Sequence, residues 1–294
     1  MKKIINNKIT SIIVITLIYI FAAVAAVALY NKLSYSVYIN ILIADVVATL
    51  IVYVFSALFD NASVYDPYWS VQPIVIVTGY IIGKSINIGS VLALIAILIW
   101  GIRLTLNWAY TFTNLTKQDW RYTKYKKETG IFYQPVNLFG IHMMPTLLVY
   151  LGTVPVIALI DSNSFNIGSI IGFTICILAV ILQGTADLEM HRFRKKKTHK
   201  LIRDGLWKYS RHPNYLGEIM MWWGVAIQAF SVTGKIWTLA GAVAINMMFF
   251  TISIPLADKR QSKKEGYEKY KKETRSLLPI PKRVELRGER YEKV

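Results

Sequence analysis

Apolar residues fall along this chain in long unbroken runs rather than in the alternation of an amphipathic fold. Runs of spanning length occur at about 11–30, 37–59, 89–107, 141–160, 165–186 and 236–256, with shorter ones at 71–83 and 216–230. A membrane-crossing helix needs about 20 mostly apolar residues at 1.5 Å rise each, so the long runs predict transmembrane helices. At 13 residues, 71–83 predicts either a tilted span extended by Trp69 or a re-entrant piece buried against protein. The expectation is an all-α, polytopic integral membrane bundle of seven to eight helices. It has a helical domain over 1–257, loops at 108–140 and 187–215, and a basic tail over 258–294. No internal repeat, low-complexity tract or Pro/Gly/Ser linker interrupts it, and residues 11–30 read as a span rather than a cleaved leader.

Composition agrees. Of 294 residues 54% are hydrophobic and 17% charged, where soluble domains carry about 25% charged residues. The formal charge of +17 comes from 34 Lys and Arg against 17 Asp and Glu. With eight crossings and an inner N-terminus, 30 of the 34 cations fall on inner segments, Lys32, Lys84 and Lys235 fall outside, and Arg103 lies within a span. Cytoplasmic loops are the Lys/Arg-rich ones, so both termini are expected in the cytoplasm. The basic excess then marks topology and attraction to membrane lipids, and no nucleic-acid partner is expected. One cysteine, Cys176, excludes a disulfide framework. Set in an apolar run, it reads as a small core residue. His191 and His199 lack a third ligand at metal spacing, so no metal site is expected. His142, beside Met143 and Met144, reads as structural, and Trp222–Trp223 with Met220–Met221 as helix packing.

Candidate chemistry gathers where apolar runs end. Gln183, Asp187, His191 and Arg194 recur at i, i+4, i+8 and i+11, one stripe of a helix that outlasts its apolar run. A structural reading pairs Asp187 with Arg192 or Arg194; a functional one aims the stripe at a ligand. Beyond it lie Tyr209, Arg211, His212, Pro213, Asn214, Tyr215, Gly217 and Glu218. Pro213 suits the first turn of a helix, which puts Asn214 and Glu218 on one face and sets Arg211 and His212 ahead of an anion-favouring N-terminus. Such a set suits an anionic ligand that contains rings. Elsewhere, Asp66-Pro67-Tyr68-Trp69 forms a turn between apolar runs. Arg103 and Asn107 share a helix face between Trp100 and Trp108, and Asp45 stands alone within the second span. An acid at that depth is a functional candidate by default.

The run GLWKYSRHPNYLGEIMMWWG at 205–224 resembles the C-terminal signature of the steroid 5-alpha-reductase family, in particular a bacterial membrane branch. Segments similar to DPYWSVQP (66–73) and WGIRL (100–104), and Tyr270 to Pro279, extend the likeness. A shorter R-H-P-x-Y-x-G pattern is shared with isoprenylcysteine and phospholipid methyltransferases. The resemblance implies an NADPH-dependent reductase of a carbon–carbon double bond conjugated to a carbonyl, in a lipophilic (steroid-like, isoprenoid or enoyl) substrate. The cofactor site would face the cytoplasm of a bacterial inner membrane. It implies cofactor roles for Gln183 (where the family has Asn), Asp187, Arg194, Lys200, Asn214, Tyr215 and Glu218, to which the residue pattern adds His191, Tyr209, Arg211 and His212; Arg194, Arg211 and the Lys195–Lys197 cluster are the candidates for the phosphates. Glu218, Arg103 and Asn107 are the catalytic candidates, and Asp66 and Trp69 the substrate-side ones. The family's N-terminal Gln-Glu and His-Tyr-x-x-Arg elements have no counterpart, Arg103 with Asn107 being nearest. No Rossmann glycine motif is present, so helices and inner loops would hold the dinucleotide. Two other readings stay open: an S-adenosylmethionine-dependent methyltransferase, against which Asp258-Lys259-Arg260 stands where paired glutamates are usual, and a non-catalytic transporter or scaffold.

Overall fold

A computed structural model describes residues 6–196 and 200–279; Lys197 and His199 lie outside the described residues. The described chain is helical, its one β-contact an isolated bridge between Ser210 and Arg275. Among the described residues six helices are long and apolar enough to cross a membrane: Lys8–Tyr30, Val37–Leu58, Ile88–Thr111, the composite Trp120–Ser162, Ile167–Lys195 and Ile236–Gln261. Each contains one of the long runs. The chain divides into two compact units, residues 1–176 with 222–245 and residues 177–221 with 246–294.

In the first unit α1 (Lys8–Tyr30) and α2 (Val37–Leu58) form a hairpin. Ile15, Ile18 and Ala22 pack with Ala48, Val52, Tyr65 and Tyr68, while Leu17 (60% exposed) and Val24 (63%) face outward. Large apolar side chains exposed in this way are what a helix offers to lipid. The short run becomes α3 (Tyr68–Ile81), 14 residues with Pro73 inside. At about 21 Å it falls short of a ~30 Å hydrocarbon core. Its Ser70, Gln72 and Pro73 are buried, and it packs on α4 (Ile88–Thr111) and α7 (Met144–Ser162). The stretch 108–140, read as a loop, is largely ordered: α4 runs on to Thr111, and α5 (Trp120–Thr129), short α6 (Tyr133–Pro135) and a π-helical segment (Val136–Met143) lead into α7. Asp119 caps α5 by accepting from the Arg121 amide at 2.9 Å, a group apolar periodicity does not report.

α8 (Ile167–Lys195) and α9 (Pro213–Thr233) contribute to both units. In the first, a Cβ at Gly172 would come within 2.5 Å of the Gly224 carbonyl oxygen; such small residues let helix backbones approach closely. Nearby Trp222 meets Trp100 edge-on, centroids 5.0 Å apart, and Cys176 is buried. In the second unit, α10 (Ala240–Met248) gives its last turn, followed by a π-helical segment (Phe249–Ser253), α11 (Ile254–Gln261) and α12 (Tyr267–Glu273). The extended segment after α12 bonds back to the residues ahead of α9: the Arg211 amide donates to the Arg275 carbonyl at 3.0 Å and the His212 amide to the Ser276 carbonyl at 3.1 Å.

Candidate functional site

In the second unit α8 and the returning chain run antiparallel, as their contacts show in order. A Cβ on Gly217 would lie 2.4 Å from Cγ of Gln183 and 2.9 Å from the Ala179 carbonyl, so only glycine admits this approach. The Gln183 Nε2 donates to the Glu218 carboxylate at 2.8 Å, both residues buried. Further along, the Trp207 indole donates to the Ala186 carbonyl at 3.2 Å and the Leu206 amide to the Glu189 carboxylate at 2.9 Å. Gly205 takes φ +57°, and a Cβ there would strike the Glu189 carboxylate. The register has a direct consequence. One turn onward from Gln183 is Asp187 and one turn back from Glu218 is Asn214, so the carboxylate and the amide occupy the same level of the helix pair.

α8 extends to Lys195, which makes Gln183, Asp187, His191 and Arg194 one helical stripe. α9 begins at Pro213. Lys200 is exposed, its carbonyl accepting from Lys264 at 3.3 Å. Tyr209 is 45% exposed with the Lys208 ammonium over its ring.

Arg211 and His212 are buried and engaged elsewhere. Both converge on Asp258 of α11: Arg211 Nη2 lies 2.9 Å from Oδ2, and His212 Nε2 lies 2.8 Å from Oδ1. Arg211 Nη1 also donates to the Thr274 carbonyl at 2.7 Å. The His212 ring lies flat against Tyr215 (5.3 Å, 9° between planes), and Tyr215 tilts against Phe249 at 5.0 Å. Arg211 is therefore held by a carboxylate in this arrangement, and Asp258, through His212, fixes the ring presented at the first turn of α9. The sequence weighs Asp258 only against the methyltransferase reading and does not pair it with Arg211 or His212. Two adjacent basic residues at a helix start imply an acid, but the acid stands 46 residues away.

The first unit holds a second polar cluster. Tyr68 donates to Asp45 Oδ1 at 2.8 Å, and the Gln72 amide donates to Oδ2. Thr146 lies 3.0 Å from Thr49 and 2.8 Å from the Tyr65 hydroxyl. Asp45 thus has partners, all of them neutral. His142 is buried with Nδ1 against the Asn137 carbonyl at 2.9 Å, and among the described residues its Nε2 and the Gln72 Oε1 have no hydrogen-bond partner.

Asp66 is held by the Tyr122 hydroxyl at 2.5 Å, with Arg121 at 3.9 Å. Burial outweighs the Arg121 charge and pushes its carboxyl up to about 6. Trp69 is half-buried on α3; Arg103 and Asn107 are half-buried on successive turns of α4. Among the described residues no three His, Cys, Asp or Glu side chains gather as a metal site would require.

Over 114 residues the chain is 27% identical to 3-oxo-5-alpha-steroid 4-dehydrogenase 1 of Rattus norvegicus, covering 37% of this chain and 40% of that protein. Over 113 residues it is 32% identical to a probable protein-S-isoprenylcysteine O-methyltransferase of Oryza sativa subsp. indica, covering 38% of this chain and 57% of that one. The chain thus spans less than two thirds of these relatives. No solved structure matches it. A family model described as a protein of unknown function, DUF1295, matches residues 52–274. That match takes in well over half of the sequence, including Gln183 to Asp258 and leaving Asp45 and Thr49 ahead of it: the chain belongs to the DUF1295 family, a steroid 5-alpha-reductase-like family of membrane proteins.

Proposed function

We propose that this integral membrane protein is an NADPH-dependent reductase that transfers hydride to a carbon–carbon double bond conjugated to a carbonyl in a lipophilic substrate. The observation that carries the reading is the register set by the Gln183–Glu218 hydrogen bond, which levels Asp187 with Asn214. The donor set fits a dinucleotide. Gln183, Asn214 and Glu218 supply amide and carboxylate edges, Tyr215 an aromatic face, and Asp187 an acceptor for hydroxyls. His191, Tyr209, Arg194 and Lys200 stand where the apolar face gives way to basic residues, suited to phosphates. Arg211 and His212 serve the same end through Asp258, by setting Tyr215 and the start of α9.

NADPH, when bound, supplies the hydride. The chain's own part is to orient, to exclude water and to stabilise charge developing on a carbonyl oxygen. Arg103 and Asn107 are the residues proposed for that oxygen, with Asp66 and Trp69 proposed on the substrate side. The cytoplasmic orientation of the basic segments is part of the same proposal.

A second reading, an S-adenosylmethionine-dependent methyltransferase, draws on the 32% identity with the rice protein and on Arg211-His212-Pro213, Tyr215 and Gly217. One equilibrium experiment separates the two. Purified protein in detergent is titrated with NADPH, NADH and S-adenosylmethionine. The reductase reading expects NADPH to bind, and Asp187→Ala or Asn214→Ala to weaken it at least ten-fold. Binding of S-adenosylmethionine without NADPH overturns it, and binding of none by folded protein favours a transporter or scaffold.

A further inference from the structure

The second unit also carries a groove on another face of α9. A cavity of about 450 Å³ is walled by Leu216, Ile219, Phe250, Leu277 and Leu278, with Asn246, Arg275 and Ser276 as its polar members. The walls come from α9, from the end of α10 with the π-helical segment, and from the extended segment after α12. π-helical turns inside α-helices occur frequently at functional sites.

Two polar groups in this lining have nothing to do within the described protein. Arg211 is paired with Asp258 and Arg203 with Glu273; Arg275, in the groove lining, pairs with no acid among the described residues. Its backbone is fixed by the bridge to Ser210, so its side chain is delivered to the groove by a pinned segment. Beside it the Ser276 hydroxyl is buried and lacks a hydrogen-bond partner. A buried polar atom left unpaired is destabilising, and a ligand oxygen would satisfy it.

We propose that this groove binds a long-chain fatty carboxylate, its hydrocarbon tail along Leu216, Ile219, Phe250 and Leu277 and its head on Arg275 and Ser276. The planar guanidinium matches the two oxygens of a carboxylate, and the Ser276 hydroxyl adds a third donor. The apolar walls exclude a free inorganic anion as the natural occupant, since they offer it nothing. The proposal stands apart from the reductase reading and requires no nucleotide.

The test uses the full chain in phosphatidylcholine nanodiscs without nucleotide. A diazirine-bearing palmitate is photolysed on it and the labelled residues are mapped by mass spectrometry. Labelling is expected within 216–219, 246–250 or 275–278, to be displaced by oleate, and to fall at least five-fold in Arg275→Gln. The matching diazirine alcohol should label less and be indifferent to Arg275→Gln. Ile219→Trp, which fills the groove, should reduce both probes. Equal labelling by acid and alcohol, labelling confined to other segments, or displacement by phosphatidylglycerol as effective as by oleate would each overturn the proposal.

Discussion

Three acids in this protein sit in three electrostatic settings, and two of them lie in one unit. Asp258, in the second unit, meets a guanidinium and an imidazole, both within 3 Å. Asp66, in the first, has one cation at 3.9 Å and a tyrosine hydroxyl. Asp45, within a spanning helix, is met among the described residues by Tyr68 and Gln72. Where a guanidinium closes on a carboxylate the arrangement is a fastening, and removing one member strands buried charge. Where only neutral donors meet it, the acid contributes little as a charge and is free to be exchanged for an amide. Asp258 of the second unit therefore holds a helix start in place, while Asp45 of the first is held by uncharged donors.

The sharpest test of that contrast is Asp258→Ala. It leaves the Arg211 side chain, 8% exposed, without its counter-charge, and loss of about 3–5 kcal/mol is expected. Thermal unfolding in detergent reads it. Asp258→Asn, which retains an acceptor for His212, should lose less. If both unfold as the wild type does, the fastening is not one.

Asp66 should show itself through pH. Its folded carboxyl titrates near 6, above the ordinary value of 3.8. Its contribution to stability is therefore full below about pH 4 and is lost as pH rises through 6. Two pKa units correspond to about 3 kcal/mol. Relative to Asp66→Asn, the wild type should grow less stable between pH 4 and 7, most steeply near 5. Parallel stability curves for the two proteins would refute the assignment.

Asp45→Asn should change stability least, by about 1 kcal/mol or less, because an amide oxygen still accepts from Tyr68. Asp45→Leu strands the Tyr68 hydroxyl and the Gln72 amide and should cost about 1–3 kcal/mol. A loss of 3 kcal/mol or more in Asp45→Asn would mean that the charge itself matters, and the contrast with Asp258 would fail.

Much of this was readable from residues alone, for one physical reason: hydrocarbon demands long apolar runs, and those runs reappear as the six long helices. The stripe from Gln183 to Arg194 implied that α8 outlasts its apolar part, and Pro213 marked where α9 starts. The order within 108–140 was hidden because α5 is polar on most of its surface and is fixed by the Asp119 cap rather than by apolar periodicity. The partners of Asp45 were hidden for a different reason. Tyr68 and Gln72 sit on a helix too short to be assigned as a span, so no register between it and α2 could be drawn. The Asp258 fastening depends on a bond across 46 residues, which local spacing cannot reveal.

The segment that follows α12 carries a practical consequence. Thr274, Arg275 and Ser276 supply the carbonyls that receive the Arg211 side chain and the Arg211 and His212 amides. Shortened versions made for crystallisation should therefore retain the chain through at least Leu278. Cutting ahead of Thr274 would remove three acceptors at once, and a helix start more than sixty residues upstream would come loose.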